Sequence, residues 1–194
     1  MAMRIDGTAF LSGTFVPDAA IVLDGGSIAY AGPASDVPRG FETHEHMRHD
    51  GLILPGLVDI HCHGGGGFSF PDTENPEQAA PAIAEHRAHG TTSIVASLVT
   101  ASQETLLTRV SALRSLVESG ELAGIHLEGP FISHARKGAH DPQFIAEGDA
   151  ERTLALLEAG GGTIATMTIA PETDLDGAVS HALIANGALP SYGH

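Results

Sequence analysis

The chain has 194 residues, with 24 acidic side chains against 9 basic ones and a formal net charge of −15. That surplus leaves no basic patch for nucleic acid or an anionic membrane, and an anionic substrate would have to be held by a few placed groups against the overall field. The apolar fraction is ordinary for a folded protein (42%), no apolar run approaches the roughly 20 residues of a membrane span, and the single cysteine, Cys62, excludes an intrachain disulfide.

The N-terminus, Met1-Ala2-Met3-Arg4-Ile5-Asp6, lacks the basic start and apolar core of a signal peptide, and a cytoplasmic location is expected. Residues 1–50 read as a small β domain. Short alternating runs such as Thr14-Phe15-Val16 and Ala20-Ile21-Val22-Leu23, punctuated by Asp24-Gly25-Gly26 and Ala31-Gly32-Pro33, predict small antiparallel strands joined by a hairpin turn. His44, His46 and His49, interleaved with Glu42, Glu45 and Asp50, read as a solvated connection rather than a metal site.

Residues 51–194 change texture. An apolar run from Leu52 to Ile60 ends in His61-Cys62-His63 and four glycines. Further apolar strands are expected over Ser93 to Val99, Gly124 to Leu127, Thr163 to Ile169 and Ala188 to Ser191. Between them, helical periodicity predicts Pro76 to His89, Glu104 to Ser119, Asp149 to Ala159 and Leu175 to Asn186, with Gly90, Gly120, Gly160 and Gly187 as stops. Strand–helix repetition of this kind predicts a parallel sheet with right-handed crossovers. A closed barrel of eight such units takes about 250 residues. The expected class is therefore α/β, a partial (β/α)₈ TIM-type barrel of about five strand–helix units preceded by the small β domain. An open five-stranded sheet is the structural alternative, although no Gly-x-Gly-x-x-Gly follows its first strand.

Parallel strand–helix folds gather their chemistry at the C-terminal ends of strands. That rule collects His61 and His63 after the first strand, Glu128 after the third, Glu172 after the fourth and His194 at the end of the chain. In a strand, His61 and His63 share one face while Cys62 turns away, as a small core residue would. Imidazole nitrogen and carboxylate oxygen suit zinc, iron, manganese or cobalt, so His61, His63, Glu128 and His194 form a candidate metal set; two polar residues facing solvent at a strand end is the plainer reading of His-x-His alone. His126, two residues before Glu128, shares its face one layer deeper, either orienting a ligand or hydrogen-bonded in the core. His86, His89 and His181 fall on predicted helices and read as surface positions. The loop from Phe131 to Pro142 contains the only lysine, Lys137, and His140 in it is a candidate substrate contact.

Taken together, Leu54-Pro55-Gly56-Leu57-Val58-Asp59-Ile60-His61-Cys62-His63-Gly64, Gly90-Thr91-Thr92, His126-Leu127-Glu128-Gly129-Pro130-Phe131, Lys137-Gly138-Ala139-His140, Ala170-Pro171-Glu172 and Gly193-His194 resemble the N-acetylglucosamine-6-phosphate deacetylases of the amidohydrolase superfamily. The resemblance implies a (β/α)₈ barrel with a β domain built from both chain ends, and metal-dependent hydrolysis of the acetamide of N-acetylglucosamine 6-phosphate to glucosamine 6-phosphate and acetate. By the family pattern Glu128 and His194 are metal ligands, with Glu128 in a bridging role. His61 and His63 match a pair that can hold a second metal, so one or two divalent ions are implied, and Ala139 and His140 match a segment that touches the sugar. The implied partner is a small sugar phosphate, with no nucleic acid and no membrane, and a homodimer for a full-length form. The family's catalytic aspartate, at the end of the eighth strand, would lie beyond His194. The chain is accordingly expected to be a truncated form with little or no deacetylase activity alone. A non-catalytic metal or sugar-phosphate binding module is the alternative. A cyclic-amide hydrolase of dihydroorotase or imidazolone type is disfavoured by Glu128-Gly129-Pro130 at the third strand end and by the absence of a strand-end lysine.

Overall fold

The computed structural model describes residues 3–41 and 45–194. The chain divides into two compact units, residues 1–55 and 56–194.

In the first unit, strands β1 (Met3–Leu11), β2 (Thr14–Asp24), β3 (Ser27–Pro33) and β4 (Glu45–Ile53) form one sheet in the order β3-β2-β1-β4. The β1–β2 and β2–β3 pairs are antiparallel hairpins, and β4 joins the other edge of β1 in parallel. The two short runs expected around Phe15 and Ile21 are one strand. It is interrupted where the register shifts opposite Gly7 and where Asp18 takes the left-handed conformation at φ 49°. The reading of 42–50 as a connection is corrected as well. Its described part is strand β4, which continues through Leu52 and Ile53 instead of leaving them to the barrel, and His46 Nε2 lies 2.7 Å from Asp6 Oδ2 across the β1–β4 pair. His44 lies outside the described residues.

The second unit is a curled half-barrel of five parallel strands. Strands β5 (Leu57–Cys62), β8 (Thr91–Val99), β9 (Gly124–Glu128), β10 (Ile164–Ile169) and β11 (Leu189–Tyr192) stand side by side in chain order. A two-residue hairpin, β6 (Gly64–Gly65) with β7 (Phe68–Ser69), follows β5. Helices α1 (Pro76–Ala88), α2 (Gln103–Glu118), α3 (Ala150–Gly160) and α4 (Ala178–Ala185) link the strands.

Local chemistry sets the helix ends. Asn75 and Gln78 form a capping box at α1, while Ser102 and Asp149 accept backbone N–H groups at the starts of α2 and α3. Helix α4 begins three residues later than its periodicity suggests. Asp174 reaches forward to accept the N–H groups of Val179 (2.9 Å) and Ser180 (3.0 Å), so the segment before Ala178 serves as the cap. Alternate strand residues Ile94, Ala96, Leu98, Ile125, Leu127, Met167 and Ile169 pack outward against Leu106, Val110 and Leu113 of α2, Leu156 of α3 and Leu183 of α4. Burial of each such side chain is worth about 1.5–3 kcal/mol, and this layer holds the arc together. The other sheet face carries His126, Thr166, Thr168 and Ser191 and is partly open, with Ile60 and Leu189 about 70% exposed. Among the described residues no helix is long and apolar enough to cross a membrane.

Candidate metal centre

Register brings the rim together. Glu128, last in β9, pairs with Val99 of β8 and Thr168 of β10, which places its carboxylate at the C-terminal edge of the sheet. The pairing of β5 with β8 slips between Asp59 and Cys62, three steps on β5 against two on β8. This bulge lets successive residues Ile60 and His61 both face the inner side. Past it, Cys62 is buried outward among the core residues and His63 returns to the inner side.

Four imidazoles surround the Glu128 carboxylate. Oε2 lies 2.9 Å from His63 Nε2 and 3.3 Å from His61 Nε2, while Oε1 lies 2.7 Å from His194 Nε2 and 3.8 Å from His140 Nε2. The Nε2 atoms of His61 and His63 are 3.0 Å apart. Two triads result, His61–His63–Glu128 and Glu128–His140–His194. In each the donor atoms lie within 4.8 Å of one another, and they share the carboxylate. All four residues of the candidate set are thus brought together, and His140, expected as a substrate contact, stands in the second triad.

Hydrogen bonds behind the ring fix several orientations. His63 Nδ1 lies 3.2 Å from the Ser97 carbonyl and His194 Nδ1 3.0 Å from the Arg136 carbonyl; each Nδ1–H donates there, which turns the Nε2 edge of the ring toward Glu128. His140 Nδ1 contacts Thr100 Oγ1 at 2.8 Å, and that hydroxyl donates to the Glu128 carbonyl. His126 sits below, its ring centroid 4.7 Å from that of His61, with Nδ1 on Ser97 Oγ and Nε2 on Thr168 Oγ1, both at 2.9 Å. Ser97 Oγ also accepts the Cys62 N–H at 3.0 Å. His126 is therefore a core histidine with both ring nitrogens hydrogen-bonded, its ring edge against that of His61.

The electrostatics draw positive charge to this point. The hydrogen bond from His63, assisted by the nearby His61 and His140 rings, holds the Glu128 carboxyl well below the usual carboxylate range, and the same bond pushes His63 up. Burial pushes His126 down to about 4, which leaves it uncharged at neutral pH, and burial also lowers His140.

A cavity of about 560 Å³ opens beside the carboxylate, lined by His63, Val99, Thr100, Glu128, Ala139, His140, Asp141 and His194. Ala139 lies in the wall of this cavity, beside the rim. The turn that carries the loop there requires Gly129, whose φ is +80° and where a Cβ would collide with Thr100 Oγ1. Glu172 does not join the rim; it lines a separate cavity with Ser133, His134 and Glu147. Lys137 bonds its own loop, with Nζ 3.3 Å from the His140 carbonyl. His86 is not a surface position: its ring turns inward, Nε2 lying 3.1 Å from Cys62 Sγ.

Residues 52–183 match the model of the amidohydrolase family. The chain belongs to the amidohydrolase family. Among curated relatives of this amidohydrolase, an N-acetylglucosamine-6-phosphate deacetylase from Bacillus subtilis is 36% identical over 75% of this chain and 38% of its own length. The zebrafish (Danio rerio) enzyme of the same name is 32% identical over 80% of this chain and 40% of its own. A mutant N-acetyl-D-glucosamine-6-phosphate deacetylase from Mycobacterium smegmatis, solved in complex with N-acetyl-D-glucosamine-6-phosphate, superposes with a TM-score of 0.87 at 36% identity. That match covers all of this amidohydrolase chain and 49% of the other. The chain spans about 40% of the length of the curated relatives it matches.

Proposed function

We propose that the rim binds one or two divalent ions, zinc foremost among zinc, iron, manganese and cobalt. We further propose that in the whole protein it serves hydrolysis of the acetamide of N-acetylglucosamine 6-phosphate to glucosamine 6-phosphate and acetate, in the cytoplasm. One observation carries the reading: each oxygen of the Glu128 carboxylate meets its own imidazole set, His61 and His63 on one side and His194 on the other. Nitrogen and carboxylate donors in that number suit a catalytic divalent ion, and a shared carboxylate suits two. The substrate class is supported by the relatives' names and by the sugar phosphate in the M. smegmatis complex.

His61, His63, Glu128 and His194 would hold the metal, which when bound polarises an amide carbonyl and makes water acidic enough to attack at neutral pH. The protein's own contribution is orientation. The Ser97 and Arg136 carbonyls keep the Nε2 atoms of His63 and His194 aimed at the site. His140, shifted toward its neutral form by burial and braced by Thr100, offers the substrate a hydrogen-bonding edge, and Ala139 leaves room beside it.

A proton must still leave the attacking water and reach the departing amine. The Glu128 carboxylate is engaged by the imidazoles, and that of Asp141 caps the following turn through Gln143. Among the described residues of the cavity neither is free to act as the base, a role worth about 10²–10⁴-fold in rate. The test is calorimetric titration of zinc-loaded protein with N-acetylglucosamine 6-phosphate, paired with an acetate-release assay. Saturable, zinc-dependent binding that is lost in His140→Ala, with turnover at least about 10²-fold below a whole deacetylase, is the expected result. Binding indifferent to zinc would overturn the reading.

A further inference from the structure

A second group of donors sits on the opposite side of the strand that presents His61 and His63. The bulge that turns His61 inward leaves Asp59 and Cys62 together on the outer, helix-facing side. Helix α1 brings His86 to the same point. Cys62 Sγ lies 3.1 Å from His86 Nε2, His86 Nε2 lies 3.0 Å from the Gly64 carbonyl, and Cys62 Sγ lies 3.5 Å from that carbonyl. The Asp59 carboxylate closes the group, all three side-chain donors lying within 4.8 Å of one another.

Two features set this group apart from an ordinary core contact. Sulfur, nitrogen and two kinds of oxygen crowd one point with few protons to share among them, and the Asp59 carboxylate is held in place by accepting the His61 N–H at 3.1 Å through Oδ1. The chain also makes room for the ring. A Cβ at residue 65 would stand 2.9 Å from His86 Nε2, so glycine there admits the imidazole.

We propose that Asp59, Cys62 and His86 form a second cation site, distinct from the rim, which takes a thiophilic divalent ion such as zinc and ties α1 to the bulged end of β5. Thiolate, imidazole and carboxylate are the donor types zinc selects. On binding, the Cys62 S–H bond is replaced by a sulfur–metal bond and its proton passes to solvent. The site shares no side chain with the rim, and its ion would hold the bulge that aims His61.

Cobalt(II) is the discriminating probe, because the rim donors contain no sulfur and Cys62 is the only thiol in the chain. Titration of the 194-residue protein with cobalt(II) should give a saturable thiolate-to-cobalt charge-transfer band in the near ultraviolet. His86→Ala and Asp59→Asn should each weaken the affinity read from that band by at least about tenfold. Gly65→Ala, which removes no donor but displaces the ring, should do the same, and Glu128→Gln should leave the band in place. Far-ultraviolet circular dichroism of each variant checks that it folds. No charge-transfer band at saturating cobalt(II), or a band of unchanged affinity in folded His86→Ala and Asp59→Asn, would overturn the proposal.

Discussion

Glu128 is the residue on which the rim converges, and its surroundings give a direct prediction. Changing it to glutamine keeps the size but removes the charge that four imidazoles face. Zinc affinity at the rim should fall by more than the 10–100-fold typical of a second-layer partner, as measured by equilibrium dialysis. Ser97 supplies a contrasting case. Its hydroxyl serves both His126 Nδ1 and the Cys62 N–H, so Ser97→Ala leaves buried polar groups without a partner. It should cost about 1–3 kcal/mol of stability by urea unfolding, while the Ser97 carbonyl that orients His63 stays in place. Much of this was legible in the sequence. The two-residue spacing of His61 and His63 predicts a shared face, and strand ends predict a common rim. The bulge before Cys62 was not legible, because it depends on a mismatch with β8 that neither strand reveals alone. His86 escaped for a related reason. Its helix presents it to β5 only because Gly65 opens a path, and helical periodicity carries no record of that gap.

Among the elements, α4 shows how a side chain can override a periodic signal. The Leu175 to Asn186 pattern extends past the true start because Asp174, by capping Val179 and Ser180, uses the preceding turn as its own arm. These hydrogen bonds outweigh the burial that opposes them and keep the Asp174 carboxyl below its ordinary value of 3.8. A depressed folded-state pKa means that the carboxylate's stabilisation is present above the unfolded value and lost as pH falls through the folded one. Asp174→Ala should therefore lose about 0.5–2 kcal/mol near neutral pH, with the gap from wild type closing below about pH 4 in thermal melts. A gap that persisted unchanged in acid would assign the loss to packing instead. Strand β4 is the converse case. Residues 45–52 are all exposed and, among the described residues, the strand has β1 on one side only, so no apolar alternation announces it. Its parallel pairing to β1 comes from elsewhere in the chain, and composition alone suggested a polar connection.

For the second unit as a whole, strand–helix repetition and glycine stops made the curled arc readable, since each repeat carries its own boundary chemistry. The arc has consequences beyond the rim. Among the described residues its outer strands β5 and β11 each have one neighbour, and Val58, Ile60, Leu189 and Tyr192 are more than 60% exposed. Unpaired strand edges beside apolar surface favour association. The 194-residue chain should show a mass that rises with concentration in light scattering behind size exclusion, and Ile60→Lys should reduce it; a strict monomer across that range would contradict this. The net charge of −15 limits such association at low salt, so added salt should strengthen it. The central claim, that side chains from the ends of β5, β9 and β11 converge to grip a divalent ion, is tested most directly by zinc titration of the Cys62→Ser chain with and without Glu128→Gln. Removing the thiol leaves the rim as the site that is read. The account predicts saturable binding of one or two ions that is lost with the carboxylate; equal stoichiometry and affinity in both proteins would contradict it.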